Sequence, residues 1–226
     1  NPGNAVSSNN SYATAAMTEF TPSTKRLQAT DFGFSIPSGD TIDGIVVEIE
    51  KSKTGTDNIT DSQVRIIKGG TVGATDKSAA GNWPTTDAYT TYGSSTDKWG
   101  ETWTATNINA SNFGTLIKGG LSDINGATAQ VDHFRVTVYY TSATISIGGT
   151  VYSDEGTTAL GANITVAVSI NGAAAAGTDD TDANGAYSIT SLTVSANDVL
   201  TLYIENETQD GVTVTLGTGS NLTGIN

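Results

Sequence analysis

The sequence predicts an all-β protein made of two consecutive β-sandwich domains. Three observations support this prediction. Apolar residues recur in short or alternating runs, clusters of Gly, Asn, Asp and Pro bound those runs, and no window carries the apolar stripe of an amphipathic helix. Ser and Thr, about a quarter of the chain, further favour half-buried strands and turns.

The first domain is predicted over residues 1–142. In chain order, its strands are expected at residues 45–50, 64–67, 113–117 and 131–139, with one helical turn at 107–114. Ile45, Val47 and Ile49 alternate with polar residues and should face the core. Lys51 and Lys53, which follow, indicate a solvated face. We expect a jelly-roll-like sandwich.

The second domain is predicted over residues 143–226, where Lys and Arg disappear and strand spacing becomes regular. Its strands are expected at residues 144–152, 163–170, 186–194, 199–205 and 212–216. Short strands separated by turns at intervals of about 8 to 12 residues are typical of an immunoglobulin-like sandwich. The domain boundary should fall near Ser142.

Charge is divided unevenly between the two halves. The net charge is −13, yet all ten Lys and Arg residues lie at or before Arg135, and nine carboxylates follow it. Such a surface repels phosphate, so we expect neither nucleic acid nor anionic lipid as a partner. No apolar run is long enough to predict membrane insertion. The acidic half attracts divalent cations or a basic face of a neighbouring subunit, although the same charge also serves simple solubility.

The composition also predicts a location. The chain has no Cys, which excludes disulfides and thiolate metal sites. A Cys-free chain rich in Ser, Thr, Asn and Gly is typical of prokaryotic surface and virion proteins, so we expect an extracellular location at a cell surface or in a virion. The start at Asn1, without Met or a leader, indicates a processed protein or a fragment of a longer one.

One stretch offers a candidate metal site. Asp180, Asp182 and Asn184 place oxygen ligands at alternate positions before Gly185, as in the first half of an EF-hand loop, so calcium is the one cofactor that the sequence suggests. The closing carboxylate of such a loop would fall at Ser191, which cannot supply it. The alternative is a hairpin turn in which Asp and Asn accept backbone hydrogen bonds and Gly185 takes a positive φ.

Aromatic residues offer a candidate binding surface. Trp83, Trp99 and Trp103 lie with Tyr89 and Tyr92 in a loop-rich stretch between strands. Exposed aromatic rings stack on sugars, so the three tryptophans are candidates for glycan binding. The alternative is that they pack beneath the loops as a satellite of the core.

No catalytic site is predicted, and we expect no enzymatic activity. Glu48 and Glu50 point to one side of a strand at a spacing that can flank a glycosidic bond, but no pocket is evident around them. His133 is the only histidine, and neither a Ser-containing nucleophile elbow nor a Cys accompanies it.

Two resemblances add to these predictions. Gly149 and Val151, followed by the run TDANGAYSI from Thr181 to Ile189, resemble the carboxypeptidase-regulatory-like and related bacterial Ig-like modules, in which G-x-V and T-D-x-x-G-x-Y/F-x-I recur. This resemblance covers residues 145–216 and implies a spacer or stalk in a large surface protein. In the first half, LQATDFGFSIPSGDTIDGIVVEIE and VDHFRVTVYYT are similar to segments of large bacterial surface and phage-associated structural proteins, which implies location rather than mechanism.

Together these observations predict an extracellular structural subunit of a surface filament, fibre or stalk that joins copies of itself head to tail. The Lys-bearing first domain would meet the acidic second domain of a neighbour. Residues 1–17 or the C-terminal SNLTGIN would add a strand to a neighbour's sheet, unless each tail closes its own domain. The alternative function is a glycan-binding adhesin or phage tail-fibre segment.

Overall fold

The computed structural model describes residues 1–154, 156–205 and 211–226. The chain divides into two compact units. Unit 1 contains Asn1–Ile36 and Asp40–Thr141, and unit 2 contains Pro37–Gly39 and Ser142–Asn226. The regular structure of the described residues is almost entirely antiparallel β-sheet, which confirms the all-β class, and each unit has two sheets.

Unit 1 has the strand order of a jelly roll. Its strands are β1 (Ala13–Met17), β2 (Leu27–Thr30), β3 (Thr41–Gly55), β4 (Ile59–Lys68), β5 (Thr71–Val72), β6 (Ala88–Ser94), β7 (Gly114–Leu121) and β8 (Ala127–Thr141). They form two sheets, in the orders β1-β8-β3-β6 and β2-β7-β4-β5. The antiparallel pairs β1–β8, β2–β7, β3–β6 and β4–β5 are those that form when one long hairpin wraps around a barrel. This order agrees with the jelly-roll-like sandwich that the sequence predicts.

The core of unit 1 is formed by side chains of both sheets. Ile45, Val47 and Ile49 of β3 are fully buried, as their alternation predicts, and share one core with Ile59 and Ile66 of β4. Burial of each such side chain contributes about 1.5 to 3 kcal/mol relative to exposure. The sandwich is therefore stabilised mainly by the facing apolar rows of its two sheets.

Two short helices complete unit 1, a 3₁₀ helix at Pro2–Ala5 and α1 at Ala105–Asn109. Thr104 caps α1 with its side chain, which accepts from the backbone N–H of Asn107, and the Asn107 side chain accepts from the backbone N–H of Thr104. This capping box starts the helix before the turn expected at residues 107–114. The helix ends at Asn109 because Ala110 is extended.

Unit 2 is a second, smaller sandwich. Its described strands are β9 (Ile145–Thr150), β10 (Thr165–Ile170), β11 (Ala175–Asp180), β12 (Ala186–Leu192), β13 (Val199–Glu205) and β14 (Val212–Leu216). They form a sheet in the order β11-β10-β13-β14 and a pair β12-β9. The C-terminal tail extends the pair through a parallel bridge between Leu222 and Ile147. Ile147, Val168 and Leu200 lie in a core shared by both sheets.

The strand order of unit 2 differs from that of an immunoglobulin constant domain. Counted from β9, the third strand (β11) stays beside the second, and the fourth (β12) pairs with the first. In the constant-type immunoglobulin order, the third strand lies in the opposite sheet and the fourth pairs with the fifth. The sequence did not predict β11 because its run AAGTDD consists largely of residues that are poor strand formers.

Candidate sites and assembly surfaces

The structure buries two of the three tryptophans. Trp83 and Trp99 are 3% and 0% exposed. Their Nε1 atoms donate to Asp61 Oδ1 at 2.7 Å and to the Ile45 carbonyl oxygen at 2.8 Å, respectively. Neither ring offers a face to a sugar, so the glycan-binding hypothesis now rests on Trp103 alone. Trp103 is half-buried, and its ring lies beneath the Lys68 ammonium group.

The aspartate side chains of the predicted calcium loop accept hydrogen bonds from other groups of unit 2. Asp180 Oδ1 accepts from Thr165 Oγ1 at 2.7 Å. Asp182 Oδ1 accepts from the backbone N–H groups of Ala186 and Asn184, which lowers the pKa of Asp182. Gly185 follows at a φ of 75°, as a turn requires. Among the described residues, no group of three His, Cys, Asp or Glu side chains is placed to bind a metal ion, and calcium stays a prediction.

Glu48 and His133 belong to a surface network on the β1-β8-β3-β6 sheet. Arg135 donates two hydrogen bonds of 2.7 Å to Glu48, which lowers the pKa of that carboxyl. Arg135 also lies over the ring of Tyr89, whose hydroxyl is 2.9 Å from His133 Nδ1. Glu50 follows on the same side of β3. Because Arg135 engages Glu48, the two glutamates do not form a free pair of carboxylates.

Unit 1 contains a buried polar cluster that the sequence does not predict. We call this cluster the Lys51 network; its members are Lys51, Asp61, Trp83 and Tyr92. The side chains of Lys51 and Asp61 are 3% and 1% exposed, and Lys51 Nζ lies 2.5 Å from Asp61 Oδ1. The Tyr92 hydroxyl accepts from Lys51 Nζ at 2.5 Å and donates to Asp61 Oδ2 at 2.7 Å. Since Trp83 also donates to Asp61 Oδ1, every polar side chain of the cluster is paired.

The prediction that Lys51 and Lys53 mark a solvated face is wrong. Lys53 is 7% exposed, and its Nζ donates to the carbonyl oxygens of Gly55 and Asp57. The β3 strand keeps its alternation beyond Ile49, because the register shift at this point places the extra residue on β8. The period of two residues alone therefore puts both lysines on the buried face, and their charge does not override it.

Burial changes the acid–base behaviour of the Lys51 network. Desolvation lowers the pKa of Lys51, and the charge of Asp61 only partly offsets this effect. Desolvation, together with the charge of Asp61, raises the pKa of Tyr92 far above its ordinary value. The Asp61 carboxylate also accepts from the backbone N–H of Ala79 at 3.0 Å. It is therefore surrounded by donors, whereas Lys51 is held in an environment that disfavours its charge.

Unit 2 exposes an apolar row on β14, which lies at the edge of its sheet. We call Val212, Val214 and Leu216 the β14 row; they are 68%, 63% and 54% exposed. The intervening Thr213 and Thr215 are half-buried, so the usual orientation of apolar and polar residues is reversed. The opposite edge strand, β11, instead carries two carboxylates, which discourage pairing with another chain.

Unit 1 exposes apolar side chains at the end where β1 finishes and β8 starts. Phe20 is 88% exposed and Ile124 is 65% exposed. The pairing of Met17 with Ala127 places the loops that carry them at the same end of the sandwich. Lys25 and Arg26 are exposed further along the same β1–β2 connection, where Arg26 Nε donates to Gln63 Oε1. We call Phe20 and Ile124 the unit 1 tip.

Both tails pair with their own unit in this single chain. In unit 1, β1 pairs with β8, and Asp132 Oδ2 accepts from the backbone N–H groups of Asn9 and Asn10. In unit 2, Leu222 bridges to Ile147 of β9. These are also the positions that a strand from a neighbouring copy would take, and strand exchange stays a prediction.

No protein-family model matches the chain, and no curated protein matches it significantly. The resemblances described above therefore rest on their motifs alone. Within the described residues, no helix has the length and the apolar character needed to cross a bilayer.

Proposed function

We propose that this protein is an extracellular structural subunit that joins copies of itself head to tail into a filament, fibre or stalk. The observation that carries the proposal is the β14 row, an apolar surface on an edge strand. Such an edge is a template for contact with another chain, and proteins that remain monomeric usually protect it with charge. Neither Lys nor Arg occurs anywhere in unit 2 beyond residue 141 to protect this edge.

The surface that we propose for the partner is the unit 1 tip of a second copy. Phe20 and Ile124 offer exposed apolar area. Lys25 and Arg26, on the connection that carries Phe20, add positive charge toward a unit whose charged side chains are all acidic. Because the β14 row and the tip are different surfaces, a chain of bound copies keeps one free row at one end and one free tip at the other. A contact of this type adds copies without limit unless its rotation closes a ring.

The proposed location rests on composition. The chain has no Cys, is rich in Thr, Ser, Asn and Gly, and resembles modules of bacterial surface proteins. The surface carboxylates described above form hydrogen bonds with neighbouring groups, which also fits a subunit that has a structural role.

The β14 row can be tested with one charge and a matched control. Val214→Lys places a cation in the exposed row without disturbing the core. Thr178→Lys places the same charge on an exposed position of β11, at the opposite edge of the same sheet. We expect filaments of the wild type and of Thr178→Lys in electron micrographs and in sedimentation, and none of Val214→Lys. Wild-type protein that stays monomeric at all concentrations would refute the proposal.

The head-to-tail arrangement needs a second variant, Phe20→Asp, which blocks the tip. Neither Val214→Lys nor Phe20→Asp should polymerise alone, but an equal mixture should form heterodimers, because each variant keeps one intact surface. Wild-type dimers that persist in Phe20→Asp and vanish in Val214→Lys would instead show a symmetric contact between two β14 rows.

A further inference from the structure

The Lys51 network places a nucleophile and a carboxyl group across the core of unit 1. Lys51 belongs to β3 and Asp61 to β4, and these consecutive strands lie in different sheets of the sandwich. The 2.5 Å separation of Nζ and Oδ1 is therefore a contact between the two sheets. Both side chains are almost completely shielded from water, so a reaction between them would meet little competition from hydrolysis.

A charged pair is costly at this position. When two ions are removed from water, their mutual attraction offsets the lost hydration free energy only if the geometry is good and additional hydrogen bonds are present. An amide formed from the same atoms carries no net charge and keeps a donor and an acceptor for the surrounding groups. Condensation would thus remove the desolvation cost of both Lys51 and Asp61 while leaving the Trp83 donor paired with Oδ1, which becomes the amide oxygen.

We propose that Lys51 and Asp61 condense into an intramolecular isopeptide bond that links the two sheets of unit 1. The Tyr92 hydroxyl contacts both partners, at 2.5 Å from Lys51 Nζ and 2.7 Å from Asp61 Oδ2. It accepts a proton from the ammonium group and passes its own proton to Oδ2, which yields a neutral amine beside a neutral carboxylic acid. This inference does not depend on the proposed function.

The remaining steps balance within the cluster. The Nζ lone pair forms a bond to Asp61 Cγ, and negative charge develops on Oδ1, where the Trp83 Nε1–H donates at 2.7 Å. A second proton then moves from Nζ to Oδ2, the bond between Cγ and Oδ2 breaks, and Oδ2 leaves as water. The third proton stays on the amide nitrogen. No external oxidant, cofactor or activating group is required.

The decisive measurement is the intact mass of the folded wild-type protein. We expect it to be lower than the sequence mass by one water molecule, and we expect Lys51→Arg, which keeps the charge but cannot form the amide, to show the full sequence mass. Asp61→Asn should give the same linked product as the wild type, with ammonia released instead of water. Full sequence mass of the folded wild type after prolonged incubation would overturn the proposal.

Peptide mapping locates the bond. Trypsin does not cleave after an acylated lysine, so the linked protein should yield residues 27–53 joined to residues 54–65. Separate recovery of a peptide that ends at Lys51 would contradict the link. Tyr92→Phe keeps the ring but removes the hydroxyl, and we expect the link to form much more slowly in it. Complete linkage of Tyr92→Phe at the wild-type rate would overturn the role assigned to Tyr92.

Discussion

Units 1 and 2 are both antiparallel sandwiches, but they place their charged groups differently. Unit 1 holds Lys51, Lys53 and Asp61 inside, where Lys51 pairs with Asp61 across the core and Lys53 donates to backbone carbonyl oxygens. The carboxylates of Asp182 and Asp198 in unit 2 instead lie at its surface and accept hydrogen bonds from backbone N–H groups of turns. Stability in unit 1 should therefore depend on individual polar pairs, whereas stability in unit 2 should depend on its apolar core and on turn formation.

The largest expected effect is that of Asp61→Ala, which leaves the Lys51 charge buried without a partner and removes the proposed amide link between the two sheets. Removal of one member of a buried ion pair alone costs about 3 to 5 kcal/mol. All three tryptophans lie in unit 1, so tryptophan fluorescence during urea unfolding reports on this unit directly. Asp180→Ala, an exposed carboxylate of unit 2, is the matched control and should not move the fluorescence midpoint. An unchanged midpoint in Asp61→Ala would contradict the difference between the units.

A second pair of variants tests whether the units unfold separately. Ile66 in unit 1 and Ile147 in unit 2 are both 0% exposed. Truncation of either to Ala should cost about 2 to 5 kcal/mol through lost burial and a cavity. We expect Ile66→Ala to shift the fluorescence transition, and Ile147→Ala to shift only part of the far-ultraviolet circular dichroism transition. A fluorescence shift in Ile147→Ala would show that the units unfold together.

A smaller effect should appear in the pH dependence of unit 2. The N–H groups of Ala186 and Asn184 hold the pKa of Asp182 below its ordinary value of 3.8. A carboxyl with a lowered pKa in the folded state contributes stability that is complete above the unfolded value and is lost as pH falls through the folded value. Asp182→Asn keeps an acceptor without the charge. The melting-temperature difference between wild type and Asp182→Asn should shrink below pH 3.8, and a constant difference would contradict this mechanism.

The smallest effect is expected for Glu48→Gln. The Arg135 and Glu48 side chains are 52% and 21% exposed, and exposed ion pairs contribute little because water screens them. The fluorescence midpoint of Glu48→Gln should match that of the wild type within error. A loss comparable to that of Asp61→Ala would mean that unit 1 depends as strongly on surface pairs as on buried ones.

The sequence predicts the sandwich class and the long apolar strands because local alternation decides them. The runs at residues 199–205 and 212–216 coincide with β13 and β14, and the strands expected at 45–50 and 131–139 lie within β3 and β8. The strands that the sequence does not predict are short, as are β2 and β5, or consist largely of poor strand formers, as does β11. Their places are set by the neighbouring strands with which they pair rather than by their own residues.

The Lys51 network could be predicted only in part. The alternation of β3 is enough to place Lys51 inside. Its partners are not local: Tyr92 and Trp83 reach Asp61 only because the chain folds β6 and the loop before it back onto the core. No spacing in the sequence reports such a contact. The β14 row, by contrast, is visible in the sequence as an alternation of apolar and polar residues. Which side of the strand faces water, however, follows from the sheet order.

The jelly-roll order also determines how unit 1 would respond to tension. Because β1 and β8 are antiparallel neighbours, the start of β1 and the finish of β8 point toward the same end of that pair. A force applied between residues before Ala13 and residues after Thr141 would open the β1–β8 ladder one rung at a time. β8 would resist being pulled out of the sheet, because it is also paired with β3 from Thr141 to Ala127. Under load, unit 1 would thus release its first strand while the rest of the sandwich stays folded.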